Sequence, residues 1–157
     1  MIDDVDTKIL ELLQENARIS QADVARVVGL APSAVLERIR KLESRGIVKG
    51  YTALLDPHAV ECSMLAFISV RSTEAPGDES VARALAHCPE VLELHHVAGD
   101  DCYLLKVRAR DAEHIGQLLR HRFGRIPGVA STRTTIVLET VKETPRLPLG
   151  VAPETVR

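Results

Sequence analysis

Two short amphipathic segments joined by a Gly-Leu-Ala turn constrain the fold of the first third of the chain more than any other feature. Residues 21–28 and 32–45 each repeat apolar side chains at helical spacing. Ser20 is a favourable N-cap for the first helix, and Gly29 ends it because glycine readily adopts a positive φ at a helix C-terminus. Pro32 suits the first position of the second helix, where a backbone N–H would have no partner. Helices joined by so short a turn predict a helix-turn-helix motif.

The second helix of this motif carries an excess of positive charge on its polar side. On a helical wheel, Val35, Ile39 and Leu42 form its apolar face. Residues 32–49 contain five basic and two acidic side chains, although the whole chain has a formal net charge of −2. Charged helix faces are often merely solvated, but a helix-turn-helix places its second helix in the major groove of DNA. We therefore predict that double-stranded DNA is contacted by Ser20, Gln21, Ser33, Ala34, Glu37, Arg38, Arg40 and Lys41.

The periodicity changes from helical to alternating near residue 63. Another amphipathic helix, at about residues 4–16, precedes the motif, and residues 47–56 alternate imperfectly, as a strand or a short wing does. The later segments follow in the order strand, helix, strand, strand, helix, strand, and they cover about 63–71, 78–88, 90–98, 102–109, 111–126 and 129–141. This order is typical of a ferredoxin-like βαββαβ sheet with two helices on one face.

The predicted fold class is therefore α+β, with two domains. We expect a winged helix-turn-helix domain at 1–56, a linker at 57–62, a ferredoxin-like domain at 63–143 and a C-terminal tail at 144–157. The first and third predicted strands have apolar residues on both of their faces. The sheet face without helices is therefore expected to pair with its copy in a homodimer.

Several other classes of function lack their sequence signatures. No apolar run approaches the roughly 20 residues of a membrane-spanning helix, so no membrane partner is expected. The three cysteines form no CxxC pair, which fits free thiols in a reducing cytoplasm and predicts no metal site. The sequence has no glycine-rich phosphate loop, nucleophile elbow or HExxH motif, so neither catalytic residues nor a cofactor are expected.

Three stretches of the sequence resemble the Lrp/AsnC, or feast/famine, family of transcription regulators. The stretch ARISQADVARVVGLAPSAVLERIRKLESRGIVKGYTALLDP is similar to the DNA-binding domain of that family. The stretches VAGDDCYLL and IPGVASTRTTIVLETVK are similar to its effector domain. The resemblance implies a DNA-binding regulator that senses an amino acid or a related small metabolite. It also implies a homodimer that assembles further, often to an octamer.

The resemblance also implies where the effector binds, namely between dimers, beside the turn after the second sheet strand and the final strand. The matching residues are Val97, Ala98, Gly99, Asp100, Asp101, Thr134, Thr135 and Ile136. Within this set, the carboxylate of Asp100 is expected to pair with the ammonium group of an amino acid. The hydroxyl groups of Thr134 and Thr135 are candidates for its carboxylate.

Two positions depart from the family pattern. Ala31 stands where the family usually has serine, so the second helix of the motif is expected to lack a side-chain N-cap. The turn Gly99-Asp100-Asp101-Cys102-Tyr103 lacks the aromatic residue that is common there and has one acid displaced. The identity of the effector therefore stays open.

Two alternatives belong to other functional classes. Some relatives with this two-domain plan resemble sirohaem decarboxylases, which use histidines to bind and protonate a tetrapyrrole. The other alternative is an interaction protein whose second domain mixes with related regulators. The basic face of the second helix in the motif favours the DNA-binding regulator over both.

Overall fold

The computed structural model describes residues 2–150, which form two compact units. The first unit contains the chain up to Ala53 together with the C-terminal segment from Lys142, and the second contains Leu54–Val141. Each unit has a hydrophobic core of its own, so each can be understood from its own packing.

Three helices form the first unit: α1 (Asp4–Glu15), α2 (Gln21–Val28) and α3 (Pro32–Ser44). The apolar faces of all three meet in one core. Its buried members are Ile9, Leu10, Val24, Ala25, Val35 and Leu42. The bounds of α2 and α3 confirm the predicted helix-turn-helix to within a residue.

Capping explains where these helices begin and end. The side chains of Asp3 and Ser20 accept hydrogen bonds from the backbone N–H three residues later, at 2.7 and 3.1 Å. Gly29 ends α2 in the left-handed region, with a φ of 71°. Ala31 precedes α3 and supplies no side-chain hydrogen bond. The predictions for Ser20, Gly29 and Ala31 are therefore confirmed.

The predicted strand or wing at residues 47–56 does not form a strand. The backbone N–H groups of Ile47 and Val48 donate to the carbonyl oxygen of Leu42 at 2.9 and 3.2 Å, which closes the end of α3. The residues that follow, up to 56, have no regular secondary structure, and nothing within 2–150 pairs with them in a β-ladder. A strand requires such a hydrogen-bonded neighbour, and alternation in the sequence does not supply one.

The described part of the C-terminal tail lies against α1. Gln14 and Leu147 exchange two hydrogen bonds, of 3.0 and 2.6 Å, between the side-chain amide and the backbone. Leu149 packs against the core of the first unit. Residues 142–150 therefore belong to the helical unit, whereas the rest of the predicted tail, 151–157, lies outside the described residues.

The second unit has the predicted βαββαβ order. Its elements are β1 (Met64–Ser72), α4 (Ser80–Ala86), β2 (Val91–His96), β3 (Tyr103–Ala109), α5 (Ala112–His121), a short 3-10 helix (Phe123–Arg125) and β4 (Val129–Ile136). The strands form one antiparallel sheet in the order β2-β3-β1-β4. Side chains on one face of this sheet, with those of α4, α5 and the 3-10 helix, form the core, which includes Ile68, Val70, Leu105, Val107 and Phe123.

Two elements end five residues before their predicted bounds, whereas α4 and β2 are shorter by at most two residues at either end. The final strand was expected over 129–141 but ends at Ile136, where its ladder with β1 ends at the pair of Ala66 and Ile136. The last helix was expected over 111–126 but ends at His121, and the chain then turns to bury Phe123. In both cases tertiary packing sets the end of the element.

Candidate functional sites

The polar side of α3 is the candidate DNA-contact surface. Val35 and Leu42 are fully buried and fix which side of the helix faces the core. The side chains of Ser33, Glu37 and Arg40, which the helical wheel places opposite, are exposed. No residue within 2–150 forms an ion pair or hydrogen bond with the side chain of Arg40. Its guanidinium group is therefore available to a ligand.

Lys41 lies beside this surface and already has a partner. Its Nζ is 2.7 Å from Oε1 of Glu37, one helical turn earlier, and both side chains are about two-thirds exposed. The hydrogen bond from Lys41 is the main cause that lowers the pKa of Glu37. Ion pairs this exposed contribute little to stability, so a phosphate group can compete for the Lys41 ammonium.

Arg38 is directed differently from the other predicted DNA contacts. Its Nη1 donates to Oδ2 of Asp3 at 2.8 Å and to Oδ1 of Asp6 at 2.7 Å, both at the start of α1. The side chain is half-buried, as is its neighbour Ala34. The structure therefore brings Arg38 to α1, and the two hydrogen bonds raise its pKa further.

Ser20 and Gln21 begin α2, as predicted. The hydroxyl group of Ser20 is fully used locally, since it accepts from the backbone of Asp23 and donates to the carboxylate of Asp23 at 2.6 Å. The first backbone N–H groups of a helix have no partner inside that helix. At this position a phosphate would therefore be bound by backbone N–H groups rather than by the Ser20 side chain.

A second candidate site lies entirely in the second unit, and we call it the turn hollow. It has a volume of about 630 Å³ and is lined by Ser69, Arg71, Val97, Ala98, Asp100, Asp101, Leu104 and Arg133. Strand register explains the grouping, because Ser69 on β1 is opposite Leu104 on β3 and opposite Arg133 on β4. Residues opposite one another in a ladder point to the same face of the sheet.

The turn between β2 and β3 supplies the other wall of the hollow. Val97 N donates to the carbonyl oxygen of Cys102 at 3.0 Å, which closes the turn. Gly99 has a φ of 116°, a conformation that other residues rarely adopt, so the tight turn depends on glycine here. The turn thereby brings Val97, Ala98, Asp100 and Asp101 beside the sheet.

The turn hollow contains two acidic and two basic side chains. Arg133 Nη2 lies 2.5 Å from Oδ2 of Asp101, so these two form an ion pair. Arg71 and Asp100 are exposed, and the described residues give neither of them an ion pair. One guanidinium group and one carboxylate group therefore remain for a ligand.

The predicted effector residues fall into two groups in the structure. Val97, Ala98, Asp100 and Asp101 line the hollow, with Gly99 between them, whereas Thr134, Thr135 and Ile136 do not line it. Thr134 and Ile136 pair with Ile68 and Ala66, so they point to the sheet face that carries the helices. Thr135 shares the other face with Phe67, two residues along the strand from Arg133.

Sequence reasoning missed the hollow residues on the three strands. These are Ser69, Arg71, Leu104 and Arg133. Alternation along β1 shows that Ser69 and Arg71 share a face, but the sequence does not reveal which residues of β3 and β4 lie opposite them. Because Arg133 and Thr134 are adjacent, a shift of one residue in the assumed register would place Thr134 instead of Arg133 opposite Ser69.

The described residues offer no sign of a metal centre or a membrane anchor. In the part of the chain from 2 to 150, no group of three or more His, Cys, Asp or Glu residues is arranged to hold a metal ion. No helix in the same range is long and apolar enough to cross a membrane. The two candidate sites are therefore the polar side of α3 and the turn hollow.

Both units match known protein families. Residues 2–49 match a winged helix-turn-helix DNA-binding domain, and residues 64–147 match the Lrp/AsnC ligand binding domain. The chain belongs to the Lrp/AsnC family, and it is a DNA-binding transcription regulator with a ligand-binding domain. The family consists of regulators rather than enzymes, which favours this function over the decarboxylase alternative.

Similar proteins cover nearly the whole chain. The leucine-responsive regulatory protein of Escherichia coli strain K12 is 41% identical over 148 residues, which are 93% of this chain and 90% of that protein. A transcriptional regulator from Neisseria meningitidis, solved in complex with L-methionine, has a TM-score of 0.89 and 34% identity, covering 94% of this chain and 97% of its own. A feast or famine regulatory protein from M. tuberculosis, complexed with L-methionine, has a TM-score of 0.86 and 33% identity, covering 94% and 99%.

Proposed function

We propose that this regulator binds operator DNA through α3 and responds to a free amino acid bound in the turn hollow. The observation that carries this proposal is the pair of unpartnered charges in the hollow, Arg71 and Asp100. An amino acid presents one carboxylate and one ammonium group. Arg71 complements the first with a planar fork of donors, and Asp100 complements the second. The relatives solved with L-methionine support an amino acid as the class of effector.

The apolar walls of the hollow favour a particular kind of side chain. The lining includes three purely hydrocarbon side chains, those of Val97, Ala98 and Leu104. An aliphatic or thioether side chain can rest against them without leaving a polar group unpaired. Arg71 thus replaces Thr134 and Thr135 as our candidate partner for the effector carboxylate.

Calorimetric titration of the twenty amino acids into the full chain tests this proposal. We expect at least one apolar amino acid to bind the parent protein, and Arg71→Gln to weaken that binding by about tenfold or more. Arg125→Gln serves as a matched control, because Arg125 is also exposed but does not line the hollow. If no amino acid binds the parent at millimolar concentration, the effector proposal is wrong.

We further propose that the protein acts as a homodimer that assembles to an octamer. The sheet face opposite the helices carries the apolar side chains of Leu65, Phe67 and Leu104, and Phe67 is 38% exposed there, which favours a second copy as its cover. A symmetric dimer presents two copies of α3 and therefore favours a pseudo-palindromic operator. Its half-sites would repeat about every 34–36 Å, or at a multiple of that spacing.

A cytoplasmic location completes the proposal. Cys62, Cys88 and Cys102 are all free thiols, as is typical of proteins in a reducing compartment. A regulator must also reach its DNA and a pool of free amino acids, and the cytoplasm of a bacterial cell contains both.

A further inference from the structure

The most informative ion pairs in the first unit join α3 to the beginning of α1. One nitrogen of Arg38 donates to the carboxylates of both Asp3 and Asp6, at 2.8 and 2.7 Å. The three side chains differ in exposure, with 33% for Arg38, 54% for Asp3 and only 13% for Asp6. Asp6 is a charged residue that is buried in this unit, and Arg38 is the cation that pairs with it.

The two carboxylates are held in place by α1 itself. Oδ1 of Asp3 accepts the hydrogen bond that caps α1, while its Oδ2 faces Arg38. The cap and the ion pair together lower the pKa of Asp3, the cap more strongly. The positive end of the α1 dipole also favours negative charge at this point. Arg38 therefore meets an anionic site whose position is set by α1 itself.

On α3, Arg38 lies between two residues of the buried face. Val35 is one turn before it and Leu42 one turn after it, and both are fully buried. The contact from Arg38 to α1 therefore lies beside the apolar contacts of Val35 and Leu42 on the same side of α3. Packing alone restrains the distance between two helices well, whereas a fixed pair of carboxylates also restrains rotation and sliding of α3.

The local charge argues against a DNA contact by Arg38. Its single positive charge is shared by two carboxylates, so the cluster carries a net charge of −1. A phosphate group that captured Arg38 would approach Asp3 and leave the buried Asp6 without its counterion. Breaking a buried ion pair by removing one partner is strongly unfavourable. Arg40 has no carboxylate partner among residues 2–150, and Lys41 pairs with Glu37, which is exposed rather than buried.

We propose that Arg38 is a positioning residue that orients the DNA-contact surface of α3 by anchoring it to Asp3 and Asp6, and that it does not bind DNA. This inference rests on the proposed DNA-contact surface, in which Lys41 binds phosphate. It replaces the sequence-based assignment of Arg38 to that surface.

The salt dependence of operator binding distinguishes positioning from contact. Each phosphate that a protein neutralises adds about 0.9 to the slope of log affinity against log salt concentration. We expect Arg38→Gln to weaken operator binding about tenfold or more while leaving this slope unchanged, and to lower Tm by about 5 °C or more. Lys41→Gln should reduce the slope by about one and leave Tm nearly unchanged.

A rescue variant completes the test. Asp3→Asn, Asp6→Asn and Arg38→Met together remove all three charges and keep an unbranched side chain at position 38. We expect this triple variant to recover most of the affinity and Tm that Arg38→Gln loses, because no buried carboxylate is left unpaired.

The measurements distinguish failure of the positioning role of Arg38 from failure of the proposed DNA-contact surface. A slope reduced by about one in Arg38→Gln with an unchanged Tm, or no recovery of affinity in the triple variant, would overturn the positioning role. An unchanged slope in Lys41→Gln would instead contradict the proposed DNA-contact surface. In that case the recovery of Tm and affinity in the triple variant would still support the anchoring of α3 by Arg38.

Discussion

Asp101 and Arg133, which are 32 residues apart in the sequence, form an ion pair with 2.5 Å between Oδ2 and Nη2. The pair joins the turn after β2 to β4 and so connects two walls of the turn hollow. It also occupies the carboxylate of Asp101. Of the two adjacent acids in the turn, Asp100 is therefore the one available to the ammonium group of an effector.

Substitution of Asp100 is expected to remove the effector response. In Asp100→Ala, loss of a charge-assisted hydrogen bond should weaken effector binding by about 1.5–3 kcal/mol. Dimer formation and DNA binding without effector should stay near those of the parent, because Asp100 is exposed and has no partner among residues 2–150. Calorimetry and a gel-shift assay measure these properties, with the exposed Glu139→Ala as control. A normal effector response in Asp100→Ala would place the pocket elsewhere.

Arg40 and Lys41 are expected to affect DNA binding in different ways. Arg40→Ala should cost about 1–3 kcal/mol at the operator and much less on unrelated DNA if Arg40 contacts a base edge. Lys41→Ala should weaken binding to all sequences about equally and reduce the salt slope by about one. Fluorescence anisotropy at several salt concentrations, on operator and random duplexes, separates the two effects. Unchanged affinity in both variants would refute this side of α3 as the docking face.

Sequence signals predicted the helices, their caps and the strand order because these depend on residues close together in the chain. Ser20 and Gly29 act within four residues of their own positions, and the structure confirms both. The turn hollow depends instead on strand register, which brings Ser69 opposite Arg133. Thr134, the residue predicted from the sequence, is one position along β4 from Arg133 and therefore lies on the other face of the sheet.

The partners of Arg38 could not be predicted from the sequence for a related reason. A helical wheel distinguishes apolar from polar positions, and it correctly placed Arg38 beside the apolar stripe. It does not show that Asp3 and Asp6 lie opposite, because those residues are more than 30 positions earlier in the chain. Only the packing of α1 against α3 reveals the partner.

Acid is expected to destabilise the second unit partly through Glu74. Burial alone would raise the pKa of this carboxyl group, but hydrogen bonds from Val81 N, Ser80, Ser72 and Tyr103 outweigh burial and lower it. A lowered pKa in the folded state stabilises the protein above the ordinary glutamate pKa of about 4.3, and the benefit disappears as the pH falls through the folded-state value. Tm should therefore decrease when the pH is lowered below about 4.

Glu74→Gln measures how much of this acid sensitivity belongs to one residue. The amide carries no charge, so the variant should have a lower Tm than the parent at pH 7 and a smaller further loss between pH 7 and 3. Glu79→Gln is the control, because Glu79 is exposed and its ion pair with Arg83 is long, at 3.8 Å. Differential scanning calorimetry measures Tm across this pH range. Identical profiles of Tm against pH for the parent and Glu74→Gln would contradict the prediction.

Dimerisation is expected to depend on Phe67. Its side chain is 38% exposed on the sheet face opposite the helices, where we propose that a second copy packs. Removal of a central aromatic side chain from an interface often costs 2 kcal/mol or more, so Phe67→Ser should raise the dimer Kd by roughly 30-fold or more. Light scattering measures this, with Val27→Ser, an exposed apolar position in the first unit, as control. A parent protein that is monomeric at micromolar concentration would disprove the proposed dimer.

The start of α3 offers a gain in stability. Ala31 occupies the N-cap position with φ −71° and ψ 145°, the extended backbone that capping residues adopt, yet its side chain has no hydrogen-bond acceptor. Ala31→Ser supplies one for the N–H groups of the first turn and should stabilise the protein by about 1 kcal/mol. The opposite change at α2, Ser20→Ala, removes an existing cap and should cost a similar amount. Urea unfolding of the two variants and the parent measures both effects, and a loss of stability in Ala31→Ser would show that the turn before α3 cannot accommodate the hydroxyl group.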